Sequence, residues 1–169
     1  MYFDTLPKLF YPYKNQTRQT VVPDIFRRVM LDKFFANRMP LRKYYVKDFE
    51  TPEILAHKVY GRSDLHWILL VANNITNVNK DWPMAQEHLV LYTKDKYGEN
   101  NSSDTHHWIL KEDKTVIVDW NASDELNNLI EPVSNLDYET EVNEKKRQIN
   151  IVPEDQVKDL IETYRKLVG

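Results

Sequence analysis

An α+β fold is expected from three features of the sequence. There are short runs rich in aromatic and β-branched residues, and there are two successive helices with sharp start and stop signals. The elements also follow an order of strand, capped helix, glycine, second helix and, much later, a further strand. With 169 residues the chain can remove roughly 70% of its unfolded surface from water, enough for one main domain with room for arms or an insertion. Its composition, 41% hydrophobic and 29% charged, excludes a fully disordered chain. The longest apolar run, residues 67–72, falls far short of the roughly 20 residues of a spanning helix. Residues 1–13 lack the basic-then-apolar order of a signal peptide, so the reading is of a protein made and used without secretion.

Residues 1–22 mix Tyr2, Phe3, Phe10, Tyr11 and Tyr13 with Pro7 and Pro12, showing neither a helical nor an alternating period. They read as an extended arm, and so many aromatics imply that it becomes ordered against its own domain or a partner. A helix is expected over 23–35, with Pro23 in the first turn and Asp24 near the positive end. Ile25, Phe26, Val29, Met30 and Phe34 would share one side, and Pro40 would close it. Residues 41–46 read as a strand. Thr51-Pro52-Glu53 then supplies an N-cap, a proline at the first helical position and an acid in the first turn. Gly61 suits the left-handed residue that ends that helix. Ser63 and Asp64 are expected to cap a second one. There Leu65, Ile68, Leu69 and Ala72 fall at i, i+3, i+4 and i+7, while Trp67, Leu70 and Val71 fill the other side, so the helix must be covered on more than one face.

Residues 75–80 read as loop, 84–92 as a short helix and 98–105 as a polar breaker. Residues 106–110 and 115–120 alternate around a turn at 111–114, which predicts a hairpin. The stretch 121–143 is acidic and irregular, 148–152 reads as a strand, and Pro153 opens a terminal helix carrying Val157, Leu160, Ile161, Tyr164 and Leu167.

The chemistry-bearing residue types point away from catalysis. Without cysteine there is no disulfide, thiolate metal site or cysteine nucleophile. Three glycines, Gly61, Gly98 and Gly169, are too scattered for a phosphate-cradling loop. Asp104, His106 and His107 form the best metal-like cluster, but adjacent strand residues point to opposite faces and are expected not to chelate together. His57 and His66 read as ordinary helix residues. Asp81 beside Trp82 and Asp119 beside Trp120 read as ends of elements, and no serine sits in a G-x-S-x-G elbow. No catalytic, cofactor-binding or metal residue is therefore assigned. Charge is divided: residues 1–45 hold nine Lys/Arg against three Asp/Glu, or +6, and the remainder holds 14 against 23, or −9. The basic residues are spread among aromatics instead of forming a dense block, which favours docking on an acidic protein surface over nucleic acid.

The order strand, capped helix, Gly, second helix, strand resembles a LysM domain, in which two helices cover a two-stranded antiparallel sheet. Tyr44-Tyr45-Val46, Thr51-Pro52-Glu53-Ile54-Leu55-Ala56, Tyr60-Gly61, Leu65-His66-Trp67-Ile68-Leu69-Leu70 and Asn73-Asn74 carry the resemblance. In such domains the second strand follows within a few residues. Here its nearest fit is 149–153, which implies an insertion over 78–143. With Asp24-Ile25-Phe26-Arg27 before it, Trp82 within it and Glu144-Lys145-Lys146-Arg147-Gln148-Ile149 after it, the interrupted pattern is similar to the LysM-like baseplate wedge protein of contractile-tailed bacteriophages, the wedge-clamping subunit. The resemblance implies an arm and helix over 1–40, a LysM-like core over 41–77 and 144–152, an insertion with a β-hairpin over 78–143, and a C-terminal helix over 153–169.

It also implies a non-enzymatic virion protein without cofactors, assembled in the host cytoplasm into a six-fold tail baseplate. Its neighbours would be other wedge subunits, adjacent wedges and tail hub proteins, with no nucleic acid or membrane contact. Phe10, Tyr11, Ile25 and Phe26 are the expected interface anchors, Arg27 and Arg28 would orient the partner, and Trp67 and Trp82 complete the candidates. The alternative, a peptidoglycan-binding LysM module, calls for a short open connection after Asn74 and a route of secretion.

Overall fold

The computed structural model describes residues 6–12, 19–24, 40–118 and 128–168. The chain forms two compact units. The described residues of the first fall within Met1–Val46, Glu50–Trp82 and Gln148–Gly169, and those of the second within Lys47–Phe49 and Pro83–Arg147.

The first unit is built on a two-stranded antiparallel sheet, β3 (Arg42–Tyr45) against β7 (Gln148–Ile151), with Arg42 opposite Ile151 and Tyr45 opposite Gln148. Helix α1 (Pro52–Tyr60) starts as the sequence predicts. The Thr51 side chain accepts the Ile54 N–H at 3.3 Å, Pro52 opens the helix, and Gly61 ends it at φ 68°, a left-handed position where a Cβ would be strained. The next helix begins differently from expectation. Residues Ser63–Leu65 form a 3₁₀ turn without a side-chain cap, and α2 (His66–Ala72) follows. Asp64 instead pairs with Arg62 at 2.7 Å.

Leu65, Ile68, Leu69 and Ala72 are buried, as their spacing requires. The other side of α2 is covered from the C-terminus. Trp67 packs against Tyr164 at a ring distance of 5.3 Å, and Tyr164 lies on α6 (Val157–Val168), which buries Val157, Leu160, Tyr164 and Val168. Leu70 and Val71 are partly buried against the same core. Asn73 closes the arrangement: its side-chain amide accepts the Asn150 N–H at 2.7 Å and donates to the Asn150 carbonyl at 2.8 Å, satisfying β7 along its outer edge.

Two further strands, β1 (Lys8–Pro12) and β2 (Gln19–Pro23), pair antiparallel, with Phe10 opposite Val21. The expected aperiodic arm is thus a ribbon. Its alternation is masked because Leu9, Phe10 and Tyr11 are apolar in succession, and Pro12 and Pro23 sit at strand ends where a missing N–H costs little. Pro23 accordingly belongs to a strand and not to the first turn of a helix. The remainder of the helix expected over 23–35 lies outside the described residues.

Helix α3 (Val78–Asp81) is the last element of the first unit before the chain enters the second, where α4 (Gln86–Tyr97) begins after Pro83 and runs further than the helix expected over 84–92. A three-stranded antiparallel sheet has the order β5-β4-β6, from β4 (Thr105–Leu110), β5 (Ile117–Val118) and β6 (Ile130–Ser134). Its turn is tightened by Asp113, whose carboxylate accepts from the Thr115 N–H and hydroxyl. Residues 119 and 120 of the expected second strand lie outside the described ones. The stretch expected to be irregular after 121 contains β6 and a 13-residue helix, α5 (Asn135–Arg147). Pro132 is tolerated because β6 is an edge strand.

Candidate assembly interface

The surface that stands out on the first unit is the β1–β2 ribbon. Phe10 is 68% exposed and Tyr11 57%, with Leu9 and Val21 also exposed, although all four are apolar or aromatic. Successive residues of a strand point to opposite faces, so the ribbon presents apolar groups on both. Its base is fixed: Leu6 is buried in the core cluster of the same unit, and the Asp24 N–H donates to the Pro7 carbonyl at 2.7 Å. Of the expected interface residues, Phe10 and Tyr11 are on this surface, whereas Ile25, Phe26, Arg27 and Arg28 lie outside the described residues.

Trp67 and Trp82 are buried within the first unit. They are 5% and 6% exposed, Trp67 against Tyr164, and Trp82 with its indole N–H donating to the Glu50 carbonyl at 2.8 Å. Their apolar area is spent inside their own unit. The Glu50 side chain ties β3 to α1, accepting from the Tyr44 hydroxyl at 2.9 Å and the Lys58 ammonium at 2.7 Å. Those bonds push the Lys58 pKa upward.

The second unit is held by polar groups that sequence reasoning missed. Along α5 the buried residues are Asn135, Glu139, Asn143 and Arg147, a stripe at intervals of four. Each has a partner. The Asn135 amide donates to the Asn101 carbonyl at 2.8 Å. Glu139 accepts from Lys96 at 2.6 Å and from the Tyr97 hydroxyl at 2.9 Å. Burial pushes its carboxyl upward, but those two donors outweigh burial and hold it below the usual range. Asn143 accepts the Met84 N–H at 2.8 Å and donates to the Met84 carbonyl at 2.9 Å. Arg147 bonds Asp48, Glu144 and the Met84 carbonyl. A hydrophobic-period search passes over such a stripe. The signal that finds the helix is Ser134-x-x-Asp137, a reciprocal cap in which Ser134 Oγ accepts the Asp137 N–H at 3.1 Å and donates to its carboxylate at 2.6 Å.

Among the described residues no group of three or more His, Cys, Asp or Glu is placed to hold a metal ion, and no helix is long and apolar enough to cross a membrane. The described residues thus combine packed polar ties with exposed apolar groups, those of the β1–β2 ribbon among them.

Comparison with known proteins identifies the family. A family model described as base plate wedge protein 53 matches residues 1–128. The chain is also similar to baseplate wedge protein gp53 of Enterobacteria phage T4, 32% identical over 87 residues, which make up 49% of this chain and 43% of that relative. The likeness thus spans less than half of that relative's length. With most of its residues inside the family match, ribbon and first helices included, the chain belongs to the base plate wedge protein 53 family.

Proposed function

We propose that this chain is a non-enzymatic structural component of a contractile phage tail baseplate, joining neighbouring wedges and wedge subunits around the hub in a six-fold assembly. Family membership supports the baseplate setting. The observation that carries the joining role is the ribbon: Leu9, Phe10, Tyr11 and Val21 are exposed on both faces of a strand pair rooted by buried Leu6. Apolar area of this kind gains stability only when another chain covers it, at about 25 cal/mol per Å² removed from water. The basic excess of residues 1–45 steers the ribbon toward an acidic surface.

Replacing Phe10 and Tyr11 together by Asp tests this reading, because both side chains are exposed and the isolated protein should keep its thermal midpoint. Phage carrying the double substitution should lack the protein in sedimented baseplates and yield particles without assembled tails. Normal incorporation of the variant would overturn the assignment of the ribbon.

A further inference from the structure

The register of the β1–β2 ribbon sorts its side chains onto two faces. Residues opposite each other in an antiparallel ladder share a face, and neighbours along a strand lie on opposite ones. Phe10 therefore stands with Val21 on one face, and Leu9 and Tyr11 with Val22 and Thr20 on the other. Both faces expose apolar area: Phe10 and Val21 are 68% and 50% exposed, Tyr11 and Leu9 57% and 47%. A strand pair that lay flat on one surface would carry apolar groups on the covered face and polar ones on the other. This ribbon carries them on both.

Size favours enclosure as well. A stable interface takes roughly 20–30 residues from each side. The ribbon has five residues in each strand, and laid flat it would use about half of them, since side chains alternate. Clasped on both faces, the same strands contribute all of them. Charge then indicates which end meets which part of the partner. Lys8 is the one charged residue of the two strands, and it is exposed. It lies on the Phe10 face at the root of the ribbon, two positions after buried Leu6.

We propose that the ribbon enters, tip first, a groove of a single partner chain, with an apolar wall against each face and a carboxylate at the mouth beside Lys8. The basic excess of residues 1–45 suits an acidic rim. This inference rests on the reading of the ribbon as an assembly interface and adds that one chain holds both faces.

The chain has no cysteine, so a single cysteine can report on each face in the full-length protein. Val21→Cys marks the Phe10 face and Leu9→Cys the Tyr11 face. Both should react with a maleimide in the isolated protein, and both should lose that labelling in purified baseplates. A benzophenone maleimide attached to either cysteine before assembly, then irradiated, should crosslink to the same baseplate chain. Lys8→Glu should lower both crosslinking yields several-fold, and Lys8→Gln should lower them less. If one cysteine stays reactive after assembly, or the two crosslink to different chains, the single groove is overturned while the ribbon remains an interface. If both stay reactive in incorporated protein, the reading of the ribbon as an interface falls with it.

Discussion

Asn143 offers a sharp test of how the second unit is held together. It is 2% exposed on α5 and uses its amide as a strand would, accepting the Met84 N–H and donating to the Met84 carbonyl. In Asn143→Ala both bonds are lost, each worth about 0.5–1.5 kcal/mol net. The two Met84 groups then fare differently. The carbonyl keeps the Arg147 Nη2 donor at 3.1 Å, but the N–H loses the acceptor it has in this structure, at about 1–3 kcal/mol. These terms overlap, so the expected loss is about 2–4 kcal/mol. Because α5 and α4 are packed together, the assay is native-state hydrogen exchange on their amides. A loss of that size corresponds to exchange about 30- to 700-fold faster wherever opening is limited by this unit's stability. Asn143→Leu, which restores volume but not the bonds, should behave like the alanine variant. Exchange within about threefold of wild type in both would show that the polar stripe does not carry the stability assigned to it.

Two further outcomes follow from the same structure. Leu69 is fully buried in the core cluster of the first unit, so Leu69→Ala should destabilise that unit by about 2–5 kcal/mol in a urea titration; an unchanged midpoint would mean that α2 is misplaced. Glu139, held below the usual carboxylate range in the folded chain, contributes stability that is fully present above its unfolded pKa of about 4.3 and is lost as pH falls through the lower folded value. Thermal midpoints of wild type should therefore drop from pH 5 downward, and Glu139→Gln, less stable at pH 7, should show a shallower drop; parallel curves would rule out this carboxylate as the acid-sensitive group.

Elements whose signals are local are legible in the sequence. Thr51, Pro52 and Gly61 bound α1 because capping and left-handed φ are properties of single residues. The apolar spacing from Leu65 to Ala72 identified a helix buried on two sides, and Pro153 with the Val157, Leu160 and Tyr164 spacing identified α6. The order of these elements was sufficient to suggest the family that the match over residues 1–128 assigns. Which partners satisfy groups lacking a local signal depends on long-range packing. Asn73 and Asn143 look like any helix-end or mid-helix asparagine until Asn150 and Met84 are brought beside them. The polar stripe of α5 is buried because Met84, Lys96, Tyr97, Asn101 and Asp48 each answer one of its groups, and a hydrophobic-period count gives polar residues no weight. Trp67 faces Tyr164 for a similar reason: periodicity states that a side must be covered but not by what, since burial is set by where a segment 97 positions along the chain returns. Nor does alternation bring the His106 and His107 imidazoles into hydrogen-bond contact, because a register shift depends on pairing with β6 across more than 20 residues of chain.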